Sequence, residues 1–174
     1  MQPESPRVAY ALWLMPEGDL YHRLATAILD LGSEHSTPAF EPHVTLLGRI
    51  TGAEREVISK SAEIAARIRP FMVRLTRLDY RGEYFRCFFL RAAGGRPIAK
   101  AYQAAKEVFG LRESARFLPH LSLIYGHLDS GRKERMLAEL GRRLDARFKV
   151  RSLHLYLIRG EPGAWRRVKE FSLG

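Results

Sequence analysis

Cysteine is nearly absent: Cys87 is the one thiol in 174 residues. That excludes an internal disulfide framework and fits a reducing compartment. Cys87 stands among aromatics, in Tyr84-Phe85-Arg86-Cys87-Phe88-Phe89-Leu90, and reads as a buried, inert thiol rather than a nucleophile. No uninterrupted apolar run reaches membrane-spanning length, so no membrane partner is expected. The opening Met1-Gln2-Pro3-Glu4-Ser5-Pro6-Arg7 lacks the basic-then-apolar pattern of a secretory signal, and the expected location is the cytoplasm. No pair of histidines lies at metal-ligand spacing with a carboxylate, so neither a metal nor another cofactor is expected. There is also no block of basic residues, no helix-turn-helix and no zinc-finger pattern, which argues against a duplex DNA reader.

Basic residues are in excess: 29 Lys and Arg against 19 Asp and Glu, a net charge of +10. A positive field concentrates anions, so the expected partner is a phosphate-bearing small molecule or an RNA end. The excess is mostly arginine spread over the whole chain, and sequence alone does not single out a phosphate-binding one. The length suits one domain, 1–174, working as a monomer.

Helical and strand periodicities alternate along the chain. Val8 to Met15 reads as a strand stopped by Pro16. Leu20, Leu24, Ala27, Ile28 and Leu31 recur at helical spacing up to Gly32. A short strand, His43 to Leu47, follows a proline-fixed loop. Val57, Ile58, Ala62, Ala65 and Ile68 mark a second helix closed by Pro70. Phe71 to Tyr80 and Tyr84 to Leu90 read as a hairpin turned at Arg81-Gly82-Glu83. Ala92-Ala93-Gly94-Gly95-Arg96-Pro97 is the expected hinge between halves, and a third helix runs from Pro97 to Phe109. Asp129 or Ser130 caps a fourth helix to about Leu144. Phe148 to Ile158 reads as one strand and Trp165 to Leu173 as the last. The expected architecture is α+β: a bilobal domain of two mixed, mostly antiparallel sheets with outer helices, pseudo-twofold about a central cleft.

Two stretches carry the chemistry, Pro42-His43-Val44-Thr45-Leu46-Leu47-Gly48 and Pro119-His120-Leu121-Ser122-Leu123-Ile124-Tyr125-Gly126. Each reads Pro-His-apolar-hydroxyl-Leu and ends at Gly. In a strand, residues i and i+2 share a face. His43 therefore projects with Thr45, and His120 with Ser122, while Val44 and Leu121 point into the core. Two such strands at one cleft suit phosphodiester hydrolysis without metal. One neutral imidazole deprotonates water and one protonated imidazole gives its proton to the leaving alkoxide, both forms being accessible to a group of pKa near ~6.5. Thr45 and Ser122 would bind the non-bridging phosphate oxygens. The residues do not divide the two roles; His120 as base and His43 as acid is the working order.

The chain resembles the 2H phosphoesterase superfamily, and within it the cyclic phosphodiesterases. The resemblance rests on Tyr10-Ala11-Leu12-Trp13, on Pro38-Ala39-Phe40-Glu41-Pro42-His43-Val44-Thr45 and on Pro119 to Gly126, and covers nearly the whole chain in order. It implies opening of ADP-ribose 1″,2″-cyclic phosphate or of nucleoside 2′,3′-cyclic phosphates, with a related branch acting on RNA ends. It also implies a catalytic set of His43, Thr45, His120 and Ser122, with Tyr125 at the cleft. Strand parity would put Tyr125 opposite His120, so a cleft-facing Tyr125 requires a bend near Gly126. Tyr84 or Phe85 is a further candidate to pack on base or sugar. A protein that kept the cleft for nucleotide recognition without turnover is the alternative from another class. His22, His35, His127 and His154 read as surface, loop or structural residues, and Trp13 most simply as core, although the resemblance implies that the first strand borders the cleft.

Overall fold

The computed structural model describes residues 9–112, 116–141 and 143–174. Eight strands and four helices follow in the order β1 (Ala9–Leu14), α1 (Gly18–His35), β2 (Val44–Thr51), α2 (Glu54–Arg67), β3 (Phe71–Tyr80), β4 (Phe88–Ala93), α3 (Gly95–Phe109), β5 (His120–Ile124), α4 (Ser130–Leu140), β6 (Arg143–Val150), β7 (Ser152–Ile158) and β8 (Arg166–Ser172). Val8, expected to begin the first strand, lies outside the described residues. All strand pairings are antiparallel, in the order β6-β3-β4-β5-β2-β1-β7-β8.

The two expected sheets are the two four-stranded halves of this order. They join where β2 meets β5, at one registered pair, Val44↔Leu121. These are the apolar residues inside the two His motifs, and both are 0% exposed. The motif strands are thus direct neighbours, and their central side chains lock the seam from the core side. A Val or Leu fully buried here stabilises by about 1.5–3 kcal/mol relative to exposure.

The halves are not successive in sequence. β3 to β6 build one half, while β1, β2, β7 and β8 bring both ends of the chain into the other. The stretch from Ala92 to Pro97 is therefore no hinge, since β4 before it and β5 after it belong to the same half. Gly94 is the N-cap of α3, where a Cβ would fall 2.7 Å from the Ile98 Cβ, so glycine there lets the helix start close to β4. The chain crosses between halves after β2 and again at Arg151. The single strand expected over Phe148 to Ile158 breaks at that residue, because Val150 pairs with Phe71 on β3 whereas β7 pairs with β1. One residue separates an edge strand of one half from an inner strand of the other. The sheet must curl until they meet.

The helices cover the curled sheet. α1 packs on β5; α2 packs on α3, β7 and β8; α3 also touches β2 and β3; α4 leans on β3. Leu24 and Ile28 form the buried stripe of α1, which continues past Gly32 to His35. Gly32 is not its stop signal but a close-approach point: a Cβ there would sit 2.9 Å from the Thr37 carbonyl. Asp129 caps α4 as expected, its carboxylate accepting the Arg132 N–H, but that helix ends at Leu140, where Gly141 takes φ 78°.

Candidate active site

The antiparallel register sets the geometry of the site. With Val44 opposite Leu121, one step either way places His43 beside Ser122 and Thr45 beside His120. Each imidazole lies next to the hydroxyl of the other motif. All four line one cleft of about 580 Å³, together with Trp13, Arg49, Glu83, Tyr84, Phe85, Arg86, Tyr125 and Trp165.

Each histidine is held in the same way. His43 Nδ1 donates to the Glu41 carbonyl at 2.6 Å, and His120 Nδ1 donates to the Leu118 carbonyl at 2.7 Å. In both cases the acceptor belongs to the residue before the motif proline. A residue preceding proline is confined to extended conformations, so Pro42 and Pro119 each fix the direction of the carbonyl that orients the ring. A proton on Nδ1 leaves the Nε2 lone pair for the cleft.

The two rings differ in their surroundings. His43 is 4% exposed. Its ring stacks on Trp13 at 3.5 Å and 8°, and Trp13 stacks in turn on Tyr156 at 3.8 Å. The Glu41 carboxylate accepts from the Tyr156 and Tyr21 hydroxyls at 2.6 and 2.8 Å. The loop whose carbonyl orients His43 is thereby anchored on β7 and α1. Burial pulls the His43 pKa down to about 3; the Glu41 carbonyl opposes the shift and His120 adds to it. His120, half-buried, meets the edge of Phe89. Its pKa is also lowered, mainly by burial and further by Arg86, against the Leu118 and Phe85 carbonyls and Glu83, which favour the charged ring.

Tyr125 does reach the cleft. β5 ends at Ile124, Gly126 takes φ 153°, and its N–H donates to the Tyr84 carbonyl at 3.0 Å. The strand therefore leaves its regular path, and the phenol lies 3.3 Å from His43 Nε2, to which it donates. Phe40 stacks on its ring at 3.8 Å. Ser122 Oγ donates to the Phe85 carbonyl at 2.8 Å, whereas the Thr45 hydroxyl has no partner among the described residues. Tyr84 also lines the cleft, but from a 3-10 turn, Tyr84–Arg86, and not from a strand.

Some of the site was invisible in the sequence. Trp13, read as core, is buried and yet forms the platform under His43; a tryptophan gives the same strand signal in either position. Trp165 and Arg86 come from distant segments, and only the topology brings them to the motifs, whereas Arg49 directly follows the first motif on β2 and nothing in the sequence marks it among the arginines. The remaining histidines stay outside the cleft lining: His22 is exposed on α1, and His127 touches the edge of Tyr84. His154 is buried opposite Trp13 on β7. Cys87 is 1% exposed, as its aromatic setting implied. Among the described residues no group of three or more His, Cys, Asp or Glu side chains is placed to hold a metal ion, and no helix is long and apolar enough to cross a membrane.

The depressed His43 pKa has a consequence for stability. Between about 6.5, the ordinary histidine value, and about 3, the unfolded chain binds a proton that the folded chain refuses. Stability is then full above that window and declines as pH falls through it. Urea midpoints measured from pH 7 to pH 4 should fall, and His43→Gln should flatten part of the decline. An unchanged slope in that variant would contradict the burial effect.

The chain matches known proteins in sequence and in fold. The model of the family described as cyclic phosphodiesterase-like protein matches residues 8–173. A cyclic phosphodiesterase of Arabidopsis thaliana is 26% identical over 133 residues, covering 75% of this chain and 72% of that one. Among solved structures, Escherichia coli LigT complexed with 3′-AMP superimposes with a TM-score of 0.67 at 13% identity, over 97% of this chain and 99% of that one. The protein TT0787 of Thermus thermophilus gives 0.66 at 16% identity, over 95% and 97%. With the paired motifs in one cleft and a family match running almost from end to end, the chain belongs to the cyclic phosphodiesterase-like family of 2H phosphoesterases.

Proposed function

We propose that this phosphodiesterase opens ADP-ribose 1″,2″-cyclic phosphate or nucleoside 2′,3′-cyclic phosphates to phosphomonoesters by metal-independent acid–base catalysis. The observation that carries this reading is the diagonal arrangement at the β2–β5 seam, which turns two Nε2 atoms and two hydroxyls toward one cleft. Water attacks phosphorus and gives a proton to one imidazole. The bond to the ribose oxygen breaks as the other imidazole protonates that oxygen. Thr45 and Ser122 donate to the non-bridging oxygens, whose charge grows in the pentacovalent state. Tyr125 and Tyr84 contact the substrate, and the Escherichia coli LigT structures with 3′-AMP, NADP+ and ATP support a nucleotide-sized ligand in this fold.

The surroundings of the rings favour a division of roles opposite to the working order. His43 is the more deeply buried, and its Nε2 accepts the Tyr125 hydroxyl, which favours the neutral ring. His120 has carbonyl and carboxylate neighbours that favour the charged ring. A phosphate anion entering the cleft raises both pKa values, and His120 is the easier of the two to charge. His43 is then the base, its Nε2 accepting the proton of water as the Tyr125 hydroxyl turns away from that lone pair, and His120 is the acid.

The test is a panel of cyclic phosphates incubated with enzyme treated with a chelator, with products read by phosphorus NMR. The expected result is a single phosphomonoester from a cyclic nucleotide, with undiminished rate. Tight binding of every member without turnover would instead support a recognition module, and a rate abolished by the chelator would overturn the metal-independent mechanism. Parallel reaction of an RNA oligomer ending in a cyclic phosphate measures the share of the RNA-end reading.

A further inference from the structure

One cation in the cleft is not explained by the catalytic set. Arg49 lies beyond the first motif, where β2 makes two irregular steps against β1. Between the pairs Trp13↔Thr45 and Leu12↔Leu47, β2 advances two residues for one of β1. Between Leu12↔Leu47 and Tyr10↔Ile50 it advances three for two. The first bulge turns both Leu46 and Leu47 into the core, where they are 1% and 7% exposed. The second leaves both Gly48 and Arg49 on the cleft side. Arg49 takes φ 57°, a conformation that non-glycine residues avoid. Bulges of this kind re-aim a side chain near a site, and strained backbone concentrates where function needs it.

The surroundings of Arg49 suit a ligand group. The side chain is exposed, and among the described residues its guanidinium has no ion-pair or hydrogen-bond partner. Arg86, the other cleft-lining arginine, is already paired with Glu83 at 2.7 Å. Beside Arg49 the cleft floor is made of Ala9 and Ala11, with Ile158 paired to Ala9. Small side chains leave room there. The row of Ala11 lies two residues from Trp13, so roughly 7 Å from the catalytic end along the strand. A ligand whose reacting phosphate sits between His43 and His120 can extend over this floor.

We propose that Arg49 forms a second anion subsite, which binds a phosphate on the 5-carbon of the sugar whose cyclic phosphate is opened. This rests on the cyclic phosphodiesterase reading above. It makes the preferred substrate a unit with two phosphates on one ribose, such as the end of a pyrophosphate-linked dinucleotide or of an RNA strand. The guanidinium is planar and always charged, and it can grip a phosphate with two hydrogen bonds.

The experiment compares kcat/KM for adenosine 2′,3′-cyclic phosphate with that of its 5′-phosphorylated form. Two further arms are the same unit joined through a 5′-pyrophosphate to a second nucleoside, and an RNA dinucleotide with a cyclic end. Wild type should prefer the 5′-phosphorylated substrate by roughly ten- to a hundredfold, the usual range for a hydrogen-bonded charged contact. In Arg49→Gly, where glycine relaxes the positive φ and so protects folding, this ratio should approach one. Arg49→Lys should keep part of it. The pyrophosphate and RNA arms identify the source, because whichever exceeds the 5′-monophosphate supplies the better-fitting anion. A wild-type ratio near one, or a preference that survives in Arg49→Gly, would overturn the subsite. Failure of wild type to open any of the four would instead overturn the function on which the subsite rests.

Discussion

Alanine at His43 or at His120 should lower kcat for a cyclic nucleotide by about 10²–10⁴-fold, the usual share of a general acid or base. Both rings are oriented by a backbone carbonyl two residues earlier, so truncation removes the proton-transfer group without moving the strand that carries it. The two variants should differ in stability. His43→Ala opens a void between Trp13 and Tyr125, and such losses in a close-packed interior cost about 2–5 kcal/mol for large side chains. His120 is half-buried, and its removal should cost less. Rates are therefore to be compared on protein shown to be folded by circular dichroism. The pair should also be non-additive, because a base without its acid leaves the same step undone. The double variant should then be within a few-fold of the slower single one.

Removing the hydroxyls should have the next largest effect. One preorganised donor to a developing oxyanion is worth about 10²–10³ in kcat, and Thr45→Ala should approach that range. Ser122→Ala should cost less. The Ser122 hydroxyl donates to the Phe85 carbonyl. It has one proton to give, so its bond to phosphate is made at the expense of that contact. Thr45 breaks no such bond. Equal losses at the two positions, or a loss at Ser122 well above that at Thr45, would contradict this reading of the two donors. Steady-state kinetics under saturating substrate measure the difference.

Much of this site was legible because the strand period is strict. Alternation alone put His43 with Thr45 and His120 with Ser122, and sent Val44 and Leu121 into the core, where both are fully buried. The proline before each histidine was visible as part of a repeat, but its purpose was not. Only the hydrogen bonds show that it aims the carbonyl that holds the ring. Direct pairing of the two motif strands was also hidden, since nothing in an isolated strand names its neighbour.

The fold was legible in its elements and less so in its connections. Phe148 to Ile158 has one unbroken apolar pattern, yet it serves two halves, because a curled sheet lets one residue bridge them. Gly94-Gly95 looked like a hinge because glycine pairs punctuate chains, whereas here the first of them answers a steric demand from Ile98. Arg49 could not be chosen from sequence. It is re-aimed by bulges that depend on the register of β1 against β2, and register is a property of two strands together.

The division of labour between the histidines is open to one direct measurement. A cyclic nucleotide whose leaving bridging oxygen is replaced by sulfur departs as a thiolate and needs no proton. On that substrate His120→Ala should recover most of its lost rate, while His43→Ala, lacking the base, should remain impaired. Rescue of His43→Ala and not of His120→Ala would reverse the roles. Full activity of either alanine variant on the ordinary oxygen substrate would contradict acid–base catalysis by the pair altogether.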